Sequence, residues 1–251
     1  MSGFLPDYSA AEVRVSPNFG PRRDVSRASM IILHYTGMRS GELAESWLCD
    51  PASEVSSHYL VHEDGRVVQM VREADRAWHA GKSSWHGQTD INSRSIGIEI
   101  VNPGNLADHP PFSGIQIDAV IRLCRDICAR LGIGPSHVLA HSDVAPGRKI
   151  DPGPAFPWEA LAAAGVGSVP CLDRWPEAPP IASGDVGEGV ERLQSMLQMC
   201  GYGIEITGFF DASTKAVVEA FQMHFRRTRA DGVADAETQA LLAAMLATAV
   251  S

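Results

Sequence analysis

Four prolines fall in one short stretch of the chain, VPCLDRWPEAPPIASG at 169–184. Each proline fixes its own φ angle and lacks a backbone N–H, so the stretch cannot continue a helix or a central strand. It favours an extended, semi-rigid linker instead. We therefore expect the 251-residue chain to divide into an N-terminal domain at 1–168, a linker at 169–183 and a C-terminal domain at 184–251.

Before the linker, strand patterns alternate with helix patterns. The runs MIILH at Met30–His34 and IGIEIV at Ile96–Val101 are typical of buried strands. The segment Gln116–Leu131 carries apolar residues at helical spacing along one face. This order predicts an α/β domain with a central mixed β-sheet flanked by helices.

After the linker, a short pattern occurs twice. GFFDAST begins at Gly208 and GVADAET at Gly232, and in each an aspartate precedes a threonine by three residues. An aspartate in that position caps a helix N-terminus. The repeats predict helices at about 212–225 and 236–247, preceded by an amphipathic helix at Val190–Cys200. We expect a small all-α three-helix C-terminal domain.

The charge balance excludes some classes of partner. A net charge of −9 without a basic stripe is unfavourable for binding nucleic acid and for binding anionic lipid.

The five cysteines have the spacing of neither a metal cluster nor a disulfide framework, so we expect them to be small buried hydrophobic residues.

Two of the histidines directly follow apolar strand runs. His34 ends one run and His141 follows the run Val138–Ala140, and strand ends are where α/β folds place their sites. With Asp151, they would supply three ligands and leave the fourth position of a zinc ion open to water, as in catalytic sites. A lone histidine is more often structural, and spacing alone does not decide between the two interpretations.

Glu99 is a candidate general base. In IGIEI, Gly97 and Glu99 share the face opposite the isoleucines. A carboxylate next to a glycine predicts an open groove in which Glu99 could take a proton from water, although a solvated strand face is the alternative. Trp78 and His79 precede a turn and are predicted to contact substrate, with Trp78 as a sugar-stacking platform or, equally, as a core residue.

Several motifs together point to a known family. MIILHYT, VSSHYLVHEDG, AWHAG, NSRSIGIEI and HSDVAPGRKIDPG occur in this order within roughly 15–165, and they resemble the AmpD/AmiD type of N-acetylmuramoyl-L-alanine amidase. That family shares its fold with phage lysozyme-like amidases and peptidoglycan recognition proteins. The resemblance implies hydrolysis of the amide bond between the lactyl group of N-acetylmuramic acid, or its 1,6-anhydro form, and L-alanine of the peptide stem.

The resemblance also implies roles for single residues. The two histidines and Asp151 would bind Zn²⁺, Glu99 would be the base, and Lys149 would stabilise the oxyanion. Arg148, beside that lysine, would touch the anionic peptide stem. Phage and recognition-protein relatives carry a tyrosine where Ser57 stands here, but the AmpD/AmiD branch also lacks it, which leaves more of the acid/base work to Glu99.

The tail has a resemblance of its own. VERLQSMLQMCGY, GFFDASTKAVVEAFQ and DGVADAETQALL resemble the three-helix peptidoglycan-binding module. We expect the tail to hold the peptidoglycan polymer and its muropeptides without taking part in bond cleavage. A chain ending near Gly167 should then still cut small soluble muropeptides.

Two alternatives come from other classes of protein. A non-catalytic peptidoglycan recognition protein would use the same fold but lack a zinc ligand, and no ligand position is lost here. A cysteine amidase would need a reactive cysteine beside a histidine, whereas Cys49 and the other cysteines stand in helical or linker contexts.

The compartment and the oligomeric state stay open. A peptidoglycan-binding tail favours the cell envelope or periplasm, while the lack of a readable signal peptide leaves the cytoplasm possible. No run approaches 18 apolar residues, so we expect no transmembrane segment.

Overall fold

The computed structural model describes residues 4–226 and 228–248, which form two compact units. The first unit holds the described residues of Met1–Lys82, Asp90–His141 and Asp151–Ser168. The second holds those of Ser83–Thr89, Ser142–Ile150 and Val169–Ser251. Two short segments that precede the proline-rich stretch therefore group with the tail. The expected limits 1–168 and 184–251, whose outermost residues lie outside the described ones, stay predictions.

A six-stranded sheet organises the first unit, in the order β1-β5-β4-β7-β3-β8. The strands, including the separate antiparallel pair β2 and β6, are β1 (Glu12–Val13), β2 (Phe19–Pro21), β3 (Met30–Tyr35), β4 (Tyr59–Val61), β5 (Val67–Gln69), β6 (Asp75–Ala77), β7 (Ser95–Ile100) and β8 (Val138–Ala140). Strand β3 runs parallel to β7 and β8, whereas β4 runs antiparallel to β5. The predicted central mixed sheet is confirmed.

Helices accompany this sheet. They are α1 (Gly41–Leu48), α2 (Ile91–Arg94), α3 (Gly114–Leu131), the single turn α4 (His141–Val144) and α5 (Trp158–Ala163). Helix α3 begins after Ser113, whose hydroxyl accepts a hydrogen bond from the Gln116 N–H, a cap that contributes about 1 kcal/mol. It ends at Gly132, whose φ of 69° is in the left-handed region that suits glycine.

The core lies along the central strands. The side chains of β3 from Met30 to His34 are buried, as expected for a strand between parallel neighbours that is covered on both faces. In α3, the predicted apolar stripe is buried at Val120, Cys124 and Ile127. The Gln116 side chain of α3 donates to the backbone carbonyls of Val61 and Val101, which joins the helix to β4 and to the residue that follows β7.

The register of β3 and β7 brings polar residues together at one end of the sheet. His34 pairs with Glu99, and Ile32 pairs with Gly97. Paired residues of adjacent strands direct their side chains to the same face, so His34, Gly97 and Glu99 share one face. His34 and Glu99 stand near the carboxyl ends of their strands, where α/β folds place ligands.

The second unit contains three longer helices, α6 (Glu188–Cys200), α7 (Ala212–Phe225) and α8 (Ala236–Thr248). The two repeated motifs cap α7 and α8 in the same way. Asp211 accepts from the Thr214 N–H at 2.7 Å, and Asp235 accepts from the Thr238 N–H at 3.0 Å. The three predicted C-terminal helices are confirmed.

The cysteines and the helix lengths complete the description. All five cysteines are free thiols; Cys124 is buried, but Cys171 is exposed, unlike the buried cysteines expected from sequence. Cys171 stands in the proline-rich stretch, which offers no core to bury it. Among the described residues, no helix combines the length and the apolar character needed to cross a membrane.

Candidate metal centre and active site

His34, His141 and Asp151 meet at the carboxyl end of the central strands. His34 lies at the end of β3, and His141 directly follows β8. The Nδ1 atoms of the two histidines are 2.9 Å apart, and Asp151 Oδ2 is 2.9 Å from the first and 2.8 Å from the second. All three residues are buried. The structure thus brings together the three predicted ligands.

The outer nitrogen of His141 shows which way its ring is protonated. His141 Nε2 lies 3.1 Å from the backbone carbonyl oxygen of Ala80. A carbonyl oxygen can only accept a hydrogen bond, so the neutral ring carries its proton on Nε2. Its Nδ1 therefore directs a lone pair toward His34 and Asp151, as metal-binding imidazoles do.

The outer nitrogen of His34 leads into a chain of hydrogen bonds. His34 Nε2 lies 2.9 Å from His79 Nδ1, His79 Nε2 lies 3.1 Å from Ser95 Oγ, and Ser95 Oγ lies 2.7 Å from the Ile91 carbonyl oxygen. Because that carbonyl only accepts, the Ser95 hydroxyl donates to it and accepts from His79 Nε2–H. His79 Nδ1 then accepts from His34 Nε2–H, which leaves a lone pair on His34 Nδ1.

Three acceptor atoms therefore converge on one point. With both rings neutral, neither Nδ1 carries a hydrogen, and an ionised carboxylate has none to offer. Acceptors at less than 3 Å from one another repel unless a cation lies between them. Two imidazoles and one carboxylate also form the donor set of many open catalytic metal sites. The residues present thus fit a divalent metal ion.

The electrostatics around His79 agree with this chain of hydrogen bonds. Burial, with His34 and His58 as neighbours, lowers the pKa of His79 well below its usual value. A neutral His79 is what the hydrogen-bond chain requires, because the ring accepts on one side and donates on the other.

The absence of a side chain at Gly97 leaves space for the His79 ring. A Cβ atom at Gly97 would lie 2.5 Å from Cγ of the His79 ring. The ring therefore occupies the space that the missing side chain leaves, and the groove expected next to Glu99 from the presence of Gly97 is filled. The backbone N–H groups of His79 and Ala80 both donate to Asn92 Oδ1, at 3.0 and 2.7 Å, which fixes this turn.

The other predicted site residues of the first unit lie near this cluster or on its strands. Glu99 is half-buried and pairs in register with His34 on the same face of the sheet. Trp78 is half-buried, and its backbone exchanges hydrogen bonds with Ser56. Ser57 is buried, and its hydroxyl donates to the Gly97 carbonyl of β7 at 2.7 Å, so this side chain stabilises the sheet.

Lys149 and Arg148 lie in the second unit, on the segment Ser142–Ile150. This segment begins directly after His141 and ends directly before Asp151. Lys149 is half-buried and Arg148 is exposed. Their predicted roles stay predictions from the sequence.

Tyr35 lies close to Asp151, and His109 lies close to Tyr35; neither was singled out from sequence. Burial raises the pKa of Tyr35, and the nearby charge of Asp151 adds to the shift. The rings of Tyr35 and His109 are 6.1 Å apart between centroids, and both come within 3.5 Å of the place where Gly153 would carry a Cβ atom. Tyr35 could have been found because it follows His34 in β3. His109 stands in a loop and gives no sequence signal.

Comparison with known proteins identifies matches to both parts of the chain. Residues 24–154 match a family described as N-acetylmuramoyl-L-alanine amidase, and residues 186–242 match a family described as a peptidoglycan binding domain. The N-acetylmuramoyl-L-alanine amidase AmiD of Escherichia coli (strain K12) is 39% identical over 237 residues, covering 88% of this chain and 83% of AmiD.

Solved structures give a matching result. The complex of E. coli AmiD with the substrate anhydro-N-acetylmuramic acid-L-Ala-D-gamma-Glu-L-Lys has a TM-score of 0.75 at 37% identity, over 94% of this chain and 93% of that chain. AMPDH3 of Pseudomonas aeruginosa in complex with anhydromuramic pentapeptide has a TM-score of 0.73 at 30% identity, over 97% of this chain and 98% of that one. The fold and the family-specific sequence therefore agree.

Proposed function

This chain belongs to the N-acetylmuramoyl-L-alanine amidase family, and we propose on that premise that it hydrolyses the amide bond between the lactyl group of N-acetylmuramic acid and L-alanine of the peptide stem. The observation that carries the proposal is the convergence of three acceptor atoms from His34, His141 and Asp151. A recognition protein that only binds its ligand has no need of such a set.

We propose zinc as the metal. His34 and His141 would bind it through Nδ1 and Asp151 through a carboxylate oxygen, a neutral-imidazole and carboxylate set that suits Zn²⁺. When bound there, the ion would supply a Lewis acid that polarises the amide carbonyl and makes water more acidic. Both histidines donate their outer N–H groups to protein acceptors, so the rings are oriented in advance.

Glu99 is the proposed general base and acid. Its place beside His34 in the register, on the same face of the sheet, supports this role. Glu99 takes a proton from the attacking water as the new carbon–oxygen bond forms at the lactyl carbonyl. It then returns that proton to the nitrogen of L-alanine as the carbon–nitrogen bond breaks. The products are a lactyl carboxylate and a peptide with a free amine.

Two basic residues complete the proposed machinery. Lys149 would stabilise the negative charge that develops on the amide oxygen during attack. Arg148 would pair with carboxylates of the peptide stem. Both assignments rest on the resemblance of the segment HSDVAPGRKIDPG to the AmpD/AmiD family.

The two residues predicted to contact substrate have different support. Trp78 is half-buried, and we propose that it stacks against a sugar of the substrate. The contacts of His79 support another role, because its ring nitrogens bond to His34 and Ser95. We propose that His79 positions the His34 ring and that it acts on the substrate only through this ligand.

The substrate class and the setting follow from the relatives. Both solved complexes hold an anhydromuramoyl peptide, so we propose muropeptides with the 1,6-anhydro sugar as substrates, alongside ordinary muramoyl peptides. The match of residues 186–242 to a peptidoglycan binding domain supports peptidoglycan polymer as a partner and the cell envelope as the setting.

Mass spectrometry of the products tests the proposal. The full chain, loaded with zinc, is incubated with soluble anhydromuramoyl peptides and with whole sacculi. We expect release of intact peptides that begin with L-alanine, together with sugars that retain the lactyl carboxylate. His137→Ala, a change at a histidine outside the metal cluster, serves as the control and should act as the unaltered chain does. Tight binding of muropeptides without any peptide release would instead establish the non-catalytic recognition protein.

A further inference from the structure

One nine-residue segment, Ser142–Ile150, joins two of the proposed metal ligands yet belongs to the second unit. It follows His141 by one peptide bond and precedes Asp151 by one. Helix α4 places His141 and Asp143 in a single helical turn. Whatever fixes Asp143 therefore also restrains the backbone that carries His141.

Asp143 accepts two side-chain hydrogen bonds within the second unit. It is 0% exposed. Its Oδ1 accepts a hydrogen bond from the Tyr202 hydroxyl at 2.7 Å, and its Oδ2 accepts from His224 Nδ1 at 2.7 Å. Tyr202 stands just after α6 and His224 lies within α7. Two elements of the tail thus each donate to one oxygen of the same carboxylate.

The surroundings hold these donors in place. The His224 ring stacks on Phe225 with centroids 3.9 Å apart and an interplanar angle of 8°. The Tyr202 ring packs edge-on against Trp85, with centroids 5.0 Å apart. Trp85 comes from Ser83–Thr89, the other early segment of the second unit. Donors with buried, packed side chains lose little additional freedom when they bind a carboxylate.

Further contacts hold the rest of the segment in the second unit. The Ser84 N–H donates to the Val144 carbonyl at 2.8 Å. A Cβ atom at Gly147 would lie 3.1 Å from Cβ of Ala216 in α7, so the backbone runs close against that helix. The Arg148 and Lys149 N–H groups both donate to the Ala145 carbonyl, which closes a turn before Asp151.

We propose that Asp143, Tyr202 and His224 are positioning residues for the metal centre, and that the tail thereby helps to hold His141, Lys149 and Asp151 in place. The inference rests on the proposed zinc amidase function. It differs from the expectation, drawn from sequence, that the tail only holds polymer. A buried carboxylate that loses a hydrogen-bond donor destabilises the folded state. Loss of one donor should therefore let the segment rearrange, and this would loosen the ligands His141 and Asp151 at its two ends.

Tyrosine-to-phenylalanine variants of the full chain separate positioning from general stability. Tyr202→Phe removes one hydroxyl from Asp143. Tyr59→Phe is the matched control, because the buried Tyr59 hydroxyl donates to Glu73 at 2.6 Å in the first unit. We expect Tyr202→Phe to raise the zinc dissociation constant by about 10-fold or more, the range for residues that support a metal ligand, with no such change in Tyr59→Phe. Competition with a chromophoric chelator measures the zinc dissociation constant of each variant.

Two changes at His224 give a second test of the inference that does not depend on the Tyr202 variant. His224→Asn keeps an N–H donor near the Nδ1 position, whereas His224→Leu removes it at similar volume. We expect the asparagine variant to bind zinc more tightly than the leucine variant and to turn over soluble muropeptide faster at saturating zinc. Circular dichroism confirms folding before each measurement.

The outcomes decide between the claims. If Tyr202→Phe and both His224 variants bind zinc as tightly as Tyr59→Phe does, while all lose thermal stability, the Asp143 cluster serves stability alone and the inference fails. If the unaltered chain binds zinc but releases no peptide from muropeptides, the proposed function fails, whereas the ratio of zinc affinities still tests the positioning.

Discussion

Two buried clusters of this molecule contain histidine and aspartate, and they have opposite hydrogen-bond chemistry. In the first unit, His34 and His141 turn their N–H groups outward and direct lone pairs toward Asp151. In the second, the Asp143 carboxylate receives one donor on each oxygen. The first cluster directs three acceptor atoms toward one point, whereas in the second each carboxylate oxygen accepts a hydrogen bond from a side chain.

The comparison shows that the direction of the hydrogen bonds, more than the type of residue, distinguishes a metal site from an anchor. Outer acceptors such as the Ala80 carbonyl fix the tautomer of a ligand and so expose the nitrogen that binds the metal. In the anchor, His224 donates directly to the carboxylate. Four substitutions, ordered from the largest expected effect to the smallest, test this distinction.

Removing a ligand from the first cluster should have the largest effect. His34→Ala takes away one of three converging atoms, so we expect the protein to lose its zinc. Turnover of muropeptide should fall by at least about 10³-fold, because a metal of this kind contributes several kcal/mol to the transition state. Elemental analysis of the purified variant and a peptide-release assay measure both. A zinc content equal to that of His137→Ala would contradict the assignment.

Glu99→Gln should separate chemistry from metal binding on the same face of the sheet. Glutamine has the same shape but cannot take a proton, so we expect turnover to fall by about 10²- to 10⁴-fold while zinc content stays unchanged. Glu63→Gln, in an exposed hairpin turn, is the control. A near-normal rate in Glu99→Gln would remove Glu99 from the mechanism.

Lys149→Ala tests the segment that connects the two clusters. As an oxyanion stabiliser, Lys149 should contribute about 10²- to 10³-fold to the rate without binding the metal. We therefore expect slow turnover with full zinc content. Lys215→Ala changes a lysine of α7 that pairs with Glu219 and should leave the rate unaltered. Loss of zinc in the Lys149 variant would mean that the residue supports the ligands instead.

Gly97→Ala tests the outward orientation of the His34 N–H group. The added Cβ would push into the His79 ring and break its bond with His34. We expect the zinc dissociation constant to rise by about 10- to 100-fold, as when other supporting partners of ligands are lost. Gly114→Ala is the control, because a Cβ atom at the start of α3 meets nothing within 4 Å. Equal zinc affinity in the two variants would show that His79 is dispensable.

Sequence patterns predicted the first cluster better than the second, for a physical reason. His34 and His141 each follow an apolar strand, and strand periodicity is a local signal that placed them at one edge of the sheet. Asp143 stands within the same recognisable motif, yet its partners are 59 and 81 residues away along the chain. Local periodicity carries no information about such contacts, so the sequence assigned the tail to polymer binding alone.

Gly97 shows how a local pattern can mislead. The prediction that Gly97 and Glu99 share one face of the sheet is correct, because side chains alternate between the two faces along a strand. The groove inferred from its small size was filled by His79, which arrives from a turn held by Asn92. A glycine marks a close approach, but only the tertiary structure shows what approaches.

Anomalous diffraction at the zinc edge, from crystals of the full chain grown with zinc, tests the central claim most directly. The hydrogen bonds from His34 Nε2 and His141 Nε2 to their outer partners require both rings to bind the metal through Nδ1. The predicted result is one anomalous peak within bonding distance of both Nδ1 atoms and an oxygen of Asp151. A peak coordinated through Nε2, or a zinc-loaded protein without a peak between these three residues, would contradict the account.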